Sequence, residues 1–166
     1  HTLWETDTMT ASYPQRFGCY AEFDTTDYPE VMVRSGISYV DMAGASNNLS
    51  NEITEPFGWN FEAVRKHQSD SWNNILNRVR IYSNDYREKV RFYTNLYRAF
   101  CRNTFSDADR RWVDAAGNIQ KLDDPDAVAL GCDAFWNTFW NLNQVWNLIA
   151  PEWSSRWVKS QLAMYD

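Results

Sequence analysis

Hydrophobic side chains recur every three or four residues in three stretches of the chain, a spacing that places them on one face of an α-helix. The first stretch follows Asn60, a candidate N-cap, and carries Phe61, Val64, Trp72, Ile75, Leu76 and Val79. The second follows Ser83 or Asn84 and carries Val90, Tyr93, Leu96, Tyr97 and Phe100. The third follows Pro151, with Ser154 or Ser155 as its cap, and carries Trp153, Trp157, Val158, Leu162 and Tyr165. Three amphipathic helices are therefore predicted, and residues 78–82 also fit a short strand.

Alternation of apolar with small or polar residues predicts β-structure near the start of the chain. Val31–Val40 alternates over most of its length, Gly18–Phe23 is rich in aromatic residues, and Asp24–Glu30 supplies a turn. These runs predict a hairpin at the end of a β-sheet. Because two strands alone are marginal in water, we expect the rest of that sheet upstream of His1 or from a partner.

A second hairpin is predicted in the polar stretch Asn103–Asp126, where Ala115–Asn118 separates Arg111–Val113 from Ile119–Lys121. Six aspartates lie in the same stretch, and clustered oxygens suit calcium. The glycine and the terminal glutamate of an EF-hand, however, do not fall at the required offsets from Asp107. A solvated surface loop is the favoured interpretation.

The stretch Asp41–Gly58 is rich in Asn, Ser and Gly and is predicted to be an irregular link. It contains the glycosylation sequon Asn48-Leu49-Ser50, which is weak evidence because so short a match arises by chance. The chain begins at His1 without an initiator methionine or the apolar core of a signal peptide, and Asp166 falls within a predicted helix. We therefore expect a part of a longer polypeptide.

An uncharged, amide-rich stretch between Gly131 and Pro151 is the main candidate for function. The chain carries no charge from Ala134 to Pro151, yet five Asn and Gln residues make it too polar to span a membrane. It predicts a buried helix from Asp133 to Ile149. One stripe of that helix would hold Asp133, Asn137, Asn141 and Gln144, beside Phe135, Trp136, Phe139 and Trp140. Amides beside indoles are typical of a sugar pocket, but packing explains the stripe equally well.

Composition narrows the possible functions. A chain of 166 residues that is 44% hydrophobic can bury the core of one ordinary domain. The net charge of −6 and the absence of a Lys/Arg block argue against a nucleic-acid groove. Cys19, Cys101 and Cys132 are an odd number at no metal-like spacing, so at least one is unpaired within the chain and a zinc site is not expected.

Several motifs, in order, resemble glycoside hydrolase family 92, the calcium-dependent exo-acting α-mannosidases. They are Arg34–Val40, Ala45–Glu52, Gly58–Phe61, Ser71–Asn73, Phe92–Tyr97, Phe105–Asp109, Phe135–Phe139 and Leu148–Glu152. The resemblance implies an α+β, helix-dominated fragment: the end of a β-sandwich, a helical linker and the start of an (α/α)₆ toroid. The implied bounds are 1–41 for the terminal strands, 42–84 for the linker and 85–166 for the incomplete catalytic toroid.

The resemblance also implies a chemistry. In the family one carboxylic acid protonates the leaving oxygen of a terminal α-mannose and another carboxylate activates water, with inversion. Both lie downstream of the residues matched here, so no catalytic residue is assigned to this chain, and the calcium ligands are expected outside it. The implied partners are an α-mannoside glycan and the remainder of the polypeptide or a complementary chain, and the implied location is extracellular or periplasmic.

One matched motif reaches the sugar in the family. Its usual Trp-Asp-Thr corresponds to Trp136-Asn137-Thr138, and Trp140 stands where an arginine is usual. We expect Trp136, Asn137, Asp133 and Trp140 to bind substrate, with Asp133 restoring an anion one turn before Asn137. Two alternatives stay open: a carbohydrate-binding relative with altered or no activity, and a helical structural or interaction domain.

Overall fold

A computed structural model describes residues 22–27, 29–131 and 138–165. The chain divides into two compact units, residues 1–33 and residues 34–166. In the first unit the described residues form neither helix nor strand, and most of the predicted strand Gly18–Phe23 lies outside them. Helices dominate the second unit, as predicted.

The prediction of a strand over Val31–Val40 is wrong, because none of these residues belongs to a strand. A strand requires a main-chain ladder with a neighbour, and no described residue supplies one. Instead, the Ser38 hydroxyl accepts hydrogen bonds from the backbone N–H groups of Val40 and Asp41, at 2.9 and 3.3 Å. This local side-chain turn competes with extended pairing at the end of the predicted strand.

The predicted irregular link is also wrong, since most of Asp41–Gly58 is helical. Helix α1 spans Met42–Leu49, a π-helical turn follows at Ser50–Thr54, and the short α2 spans Glu55–Phe57. Asp41 caps α1 by accepting a hydrogen bond from Gly44 N at 2.6 Å. The low helix propensity of Asn, Ser and Gly is overridden by tertiary contacts, described below for Asn48.

The three predicted amphipathic helices are present, with corrected starts for two of them. Helix α3 spans Phe61–Leu76 and Asn60 caps it as predicted, by accepting from Ala63 N. Helix α4 spans Tyr86–Phe100, and its cap is Asp85. Ser83 lies just before that cap and accepts a hydrogen bond from Asp85 N. Residues 78–82 form no strand.

The last helix, α6, spans Pro151–Tyr165 and therefore begins at Pro151, ahead of the predicted caps Ser154 and Ser155. Proline suits the first position of a helix because its missing N–H would have no intrahelical acceptor there. None of the described helices is long and apolar enough to cross a membrane.

The second predicted hairpin is confirmed at the predicted residues. Strand β1, Arg111–Val113, pairs antiparallel with β2, Ile119–Lys121, and Trp112 lies opposite Gln120. Asp114 organises the turn, because its carboxylate accepts from the backbone of Ala116 and Asn118.

The single helix predicted over Asp133–Ile149 is wrong in its described part. Helix α5 spans Leu142–Ile149, and residues 138–141 form a turn. The side-chain amide of Gln144 donates to Phe139 O at 2.7 Å, which stabilises that turn. Asn141 and Gln144 therefore do not continue one helical stripe through residues 138–141, and residues 133–137 lie outside the described part.

Among the described residues, the larger hydrophobic core is centred on aromatic side chains. It contains Leu96, Phe100, Leu130, Trp146, Ala150 and Trp157, and it joins α4, α5 and α6. Trp146 is fully buried, and its indole N–H donates to Ala99 O at 3.0 Å, so its polar atom is satisfied. The smaller core lies at the hairpin and contains Trp112, Leu122, Ala127 and Ala129.

Candidate functional site

The predicted sugar site falls partly within the described residues. Asp133, Trp136 and Asn137 lie outside them, whereas Trp140 lies on the turn that precedes α5. In that turn Thr138 is 5% exposed, while Phe139 and Trp140 are 60% and 67% exposed. The turn is therefore buried at Thr138, whereas its two aromatic rings are exposed to solvent.

The two exposed rings pack against each other edge to face. Their centroids are 5.8 Å apart and their planes meet at 83°. This arrangement is favourable for aromatic pairs and limits the rotamers of both side chains. An exposed indole held in this way offers a flat apolar surface, which can cover the C–H face of a sugar ring.

Amides next to the turn have different roles. Gln144 uses its amide N–H₂ on the main chain at Phe139 O, as described above, so it stabilises the turn. Asn143 donates its backbone N–H to Thr138 O at 2.9 Å, and its side-chain oxygen Oδ1 is buried without a protein hydrogen-bond partner. A buried acceptor of this kind is a candidate for a hydrogen bond from water or ligand.

The segment that ends at Gly131 is held by hydrogen bonds to other parts of the chain. Gly131 N donates to Asn103 O at 2.8 Å and Phe105 N donates to Ala129 O at 2.7 Å, which pairs two segments of the loop. Ser160 of α6 is 1% exposed, and its hydroxyl accepts from Leu130 N at 2.7 Å. Sequence reasoning missed Ser160, because a serine within an amphipathic helix carries no signal of a partner 30 residues away.

The most buried carboxylate among the described residues belongs to Asp107, which is 6% exposed. Its Oδ2 accepts from Ser38 Oγ at 2.7 Å and its Oδ1 accepts from Asn48 Nδ2 at 2.9 Å. Asn48 also donates to Ile37 O and accepts from Ala108 N. Through one hydrogen bond to each of its carboxylate oxygens, Asp107 ties α1 to the loop before β1.

The contacts of Asn48 also determine whether its sequon can be glycosylated. Asn48 is 9% exposed and its amide nitrogen already makes two hydrogen bonds within the protein. A glycan on that nitrogen would remove a donor and have no room to leave the interior. The folded structure is incompatible with glycosylation at Asn48.

Arg111 neutralises two aspartates between α1 and the hairpin. It donates to Asp41 at 3.0 Å and to Asp109 at 2.6 Å. The hydrogen bond from Arg111, together with that from Gly44 N, lowers the pKa of Asp41. Partial burial raises the pKa of Asp109, but the hydrogen bonds and charge of Arg111 outweigh it, so the net shift of that pKa is downward.

Two further aspartates of the 103–126 loop, Asp114 and Asp124, bind protein groups through their carboxylates. Gln120 and the Asn118 backbone hold the Asp114 carboxylate, and Lys159 pairs with Asp124. Across residues 22–27, 29–131 and 138–165, no group of three or more His, Cys, Asp or Glu side chains is arranged to hold a metal ion. The described residues therefore do not fit a calcium site.

Comparison with known proteins identifies the family. The model of the glycosyl hydrolase family 92 catalytic domain matches residues 44–166. The structure of the family GH92 α-mannosidase BT3965 from Bacteroides thetaiotaomicron is 28% identical to the chain, covers 78% of it and superimposes with a TM-score of 0.68. The structure of that enzyme in complex with mannoimidazole is 27% identical, covers 78% of the chain and gives a TM-score of 0.67.

The chain spans 17% and 16% of the length of these two solved chains. No curated protein matches it significantly. The family match extends from α1 to the last residue. The solved α-mannosidase shares the fold of most of the chain, and its sequence identity of 28% indicates more than a shared fold. On these grounds the chain belongs to glycoside hydrolase family 92.

Proposed function

We propose that this chain forms part of an exo-acting α-mannosidase and contributes one wall of the pocket for the terminal mannose. The observation that carries the proposal is the exposed Phe139–Trp140 pair, which directly follows the motif Trp136-Asn137-Thr138. The solved relative that binds mannoimidazole supports a mannose-like ligand. The division into a sandwich end at 1–41, a linker at 42–84 and a toroid at 85–166 stays a prediction.

In the proposed enzyme this chain positions the sugar and the bond-breaking carboxylates come from elsewhere. Asp107, Asp41 and Asp109 are engaged by protein donors, which supports this division of labour. For inversion, the acid and base stand roughly 6.5–9.5 Å apart so that water fits between the base and the sugar. We further propose that the enzyme requires calcium and acts outside the cytoplasm.

Hydrolysis of 4-nitrophenyl α-mannoside by the enzyme that contains this chain tests the proposal. We expect release of mannose that is abolished by a chelator and restored by calcium. The 4-nitrophenyl β-mannoside is the matched control and should not be cleaved. Cleavage of neither anomer, in an enzyme with intact catalytic carboxylates, would overturn the proposed activity.

A second candidate function is carbohydrate binding with altered or no turnover. The observation that favours it is the pair of departures at Asn137 and Trp140, since replacing a carboxylate by an amide and a guanidinium by an indole removes both charges. Asn137→Asp separates the two candidates. A gain of turnover would favour a degenerate site, whereas unchanged affinity and turnover would make Asn137 structural.

A further inference from the structure

A cavity of about 470 Å³ opens between α3, the end of α4 and the start of α6. Its volume lies in the range of ordinary small-molecule pockets, roughly 300–1,000 Å³. The residues used below are Gln68, Ser71, Trp72, Arg102, Asn103 and Trp153. None of them is among the residues predicted to bind the terminal sugar.

Two indoles form fixed walls of this cavity. Trp72 packs against Tyr97 with ring centroids 4.3 Å apart, and Trp153 packs edge to face against Phe100 at 5.3 Å. Both indoles are half-buried, so each has one side supported by protein. A ligand that covers them therefore meets surfaces that are ordered before it binds.

Polar groups stand beside the indoles. Gln68 and Asn103 are exposed amides, each able to donate and accept, and Ser71 adds a hydroxyl. Arg102 is the cationic residue of the cavity wall, and its guanidinium lies 5.4 Å from the ring centre of Trp157. Among the described residues that line the cavity none is acidic.

This combination selects a class of ligand. Among the described lining residues there is no carboxylate to partner a cation. The Arg102 guanidinium already has contacts within the protein, so it does not single out an anionic ligand. A purely apolar ligand would remove water from the amides without replacing its hydrogen bonds. A neutral ligand that has hydroxyl groups around apolar C–H faces satisfies both the amides and the indoles. We propose that the cavity is a second glycan-binding site, which takes a part of the substrate away from the cleaved residue.

The choice of mannan as its ligand rests on the proposed function. The experiment compares KM for soluble α-mannan with KM for 4-nitrophenyl α-mannoside, which is too small to fill both sites. In Gln68→Ala we expect KM for mannan to rise roughly 2- to 10-fold, as for the loss of one ordinary hydrogen bond. KM and kcat for the small substrate should stay within about twofold, because Gln68 is not among the residues predicted to bind the terminal sugar.

Asn74→Ala is the matched control, since Asn74 is an exposed amide on α3 that does not line the cavity. Ser71→Leu is a second variant, which narrows the cavity and leaves both amides in place. A rise of KM for mannan in both cavity variants and not in the control supports the site. An unchanged KM for mannan in both cavity variants overturns it, including the case in which another part of the polypeptide fills the cavity.

Direct binding separates failure of this site from failure of the proposed activity. If the enzyme cleaves no α-mannoside, calorimetric titration with α-mannan still tests the cavity. Binding that is weakened in Gln68→Ala and retained in Asn74→Ala supports the site without catalysis. Equal binding by all three proteins, or no binding by the unmodified one, contradicts it.

Discussion

Single residues with buried polar contacts join distant segments of the described structure. Ser160 and Asp107 both lie in the interior, and each joins segments that are far apart in the sequence. Such contacts are costly to break, because the group left behind is desolvated and unpaired. A substitution at either position is therefore expected to lower the free energy of unfolding by more than the lost packing of the side chain alone.

Ser160→Ala should lower the free energy of unfolding by about 1–3 kcal/mol, because Leu130 N would lose its acceptor in the interior. The matched control is Ser155→Ala on the exposed face of the same helix, which should change stability by less than about 0.5 kcal/mol. Urea unfolding measures both. Equal effects of the two substitutions would show that the Leu130–Ser160 hydrogen bond contributes nothing.

Gly44→Ala tests the packing around Asp107. Within a helix this substitution ordinarily stabilises by roughly 0.5–1 kcal/mol. Here an added Cβ would lie 2.2 Å from Asp107 Oδ2 and 2.7 Å from Ser38 Oγ, so we expect a net loss of about 1–3 kcal/mol. Thermal or urea unfolding gives the sign, with Ser46→Ala on the exposed face of α1 as control. Stabilisation by Gly44→Ala would contradict the described contacts.

At the scale of elements, α1 is attached to the hairpin mainly by polar contacts. Asp41 caps the helix and pairs with Arg111 at the start of β1, while Asn48 binds Asp107. These contacts depend on charge, because the pKa values of Asp41 and Asp109 are lowered in the folded protein. The attachment of α1 is therefore expected to depend on pH.

The sign of that dependence follows from the lowered pKa values. In the unfolded chain an aspartate titrates near pH ~3.9, so the contribution of this ion pair is fully present above that pH. It is lost as the pH falls through the lower folded pKa values. We expect Arg111→Gln to flatten the slope of unfolding free energy against pH below about pH 4. Arg91→Gln, which removes an exposed cation from α4, is the control, and equal slopes for both variants would exclude a special role for Arg111.

Sequence patterns correctly predicted the elements that are stabilised by contacts between residues close in the sequence. The α3 helix and the β1–β2 hairpin appear where expected, because an Asn cap and a turn flanked by short strands act over a few residues. The α1 helix was missed, since its stability comes from Asn48 and from partners about 60 residues away. The single helix predicted over 133–149 is interrupted at residues 138–141, where the Gln144 side-chain amide bonds to the main chain at Phe139.

The candidate site was predictable only in part, and for the same reason. The exposed Trp140 follows two residues after a motif that sequence can recognise, and its contact with substrate stays a prediction. The contacts of the segment before that motif were not predictable, because Ser160 and Asn103 meet Leu130 and Gly131 only through the fold. Asp133, Trp136 and Asn137 stay predictions.

At the scale of the whole molecule, the chain spans 17% of the length of the solved α-mannosidase that it resembles. Its many exposed apolar residues, such as Leu148, Leu162 and Tyr165, are consistent with the proposal that further parts of an enzyme cover it. Function is therefore expected of the assembled enzyme, in which this chain supplies binding surfaces.

The central claim is that Trp140 forms a wall of the terminal-mannose pocket. Its most direct test is the affinity of the enzyme for mannoimidazole in Trp140→Ala, measured by calorimetry. Because Trp140 is 67% exposed, its replacement should leave the unfolding transition unchanged. We expect the dissociation constant to rise roughly 2- to 10-fold, as for the loss of one stacking contact. Tyr82→Ala, which alters a 93% exposed ring outside the site, should have no effect, and an unchanged affinity in Trp140→Ala would contradict the claim.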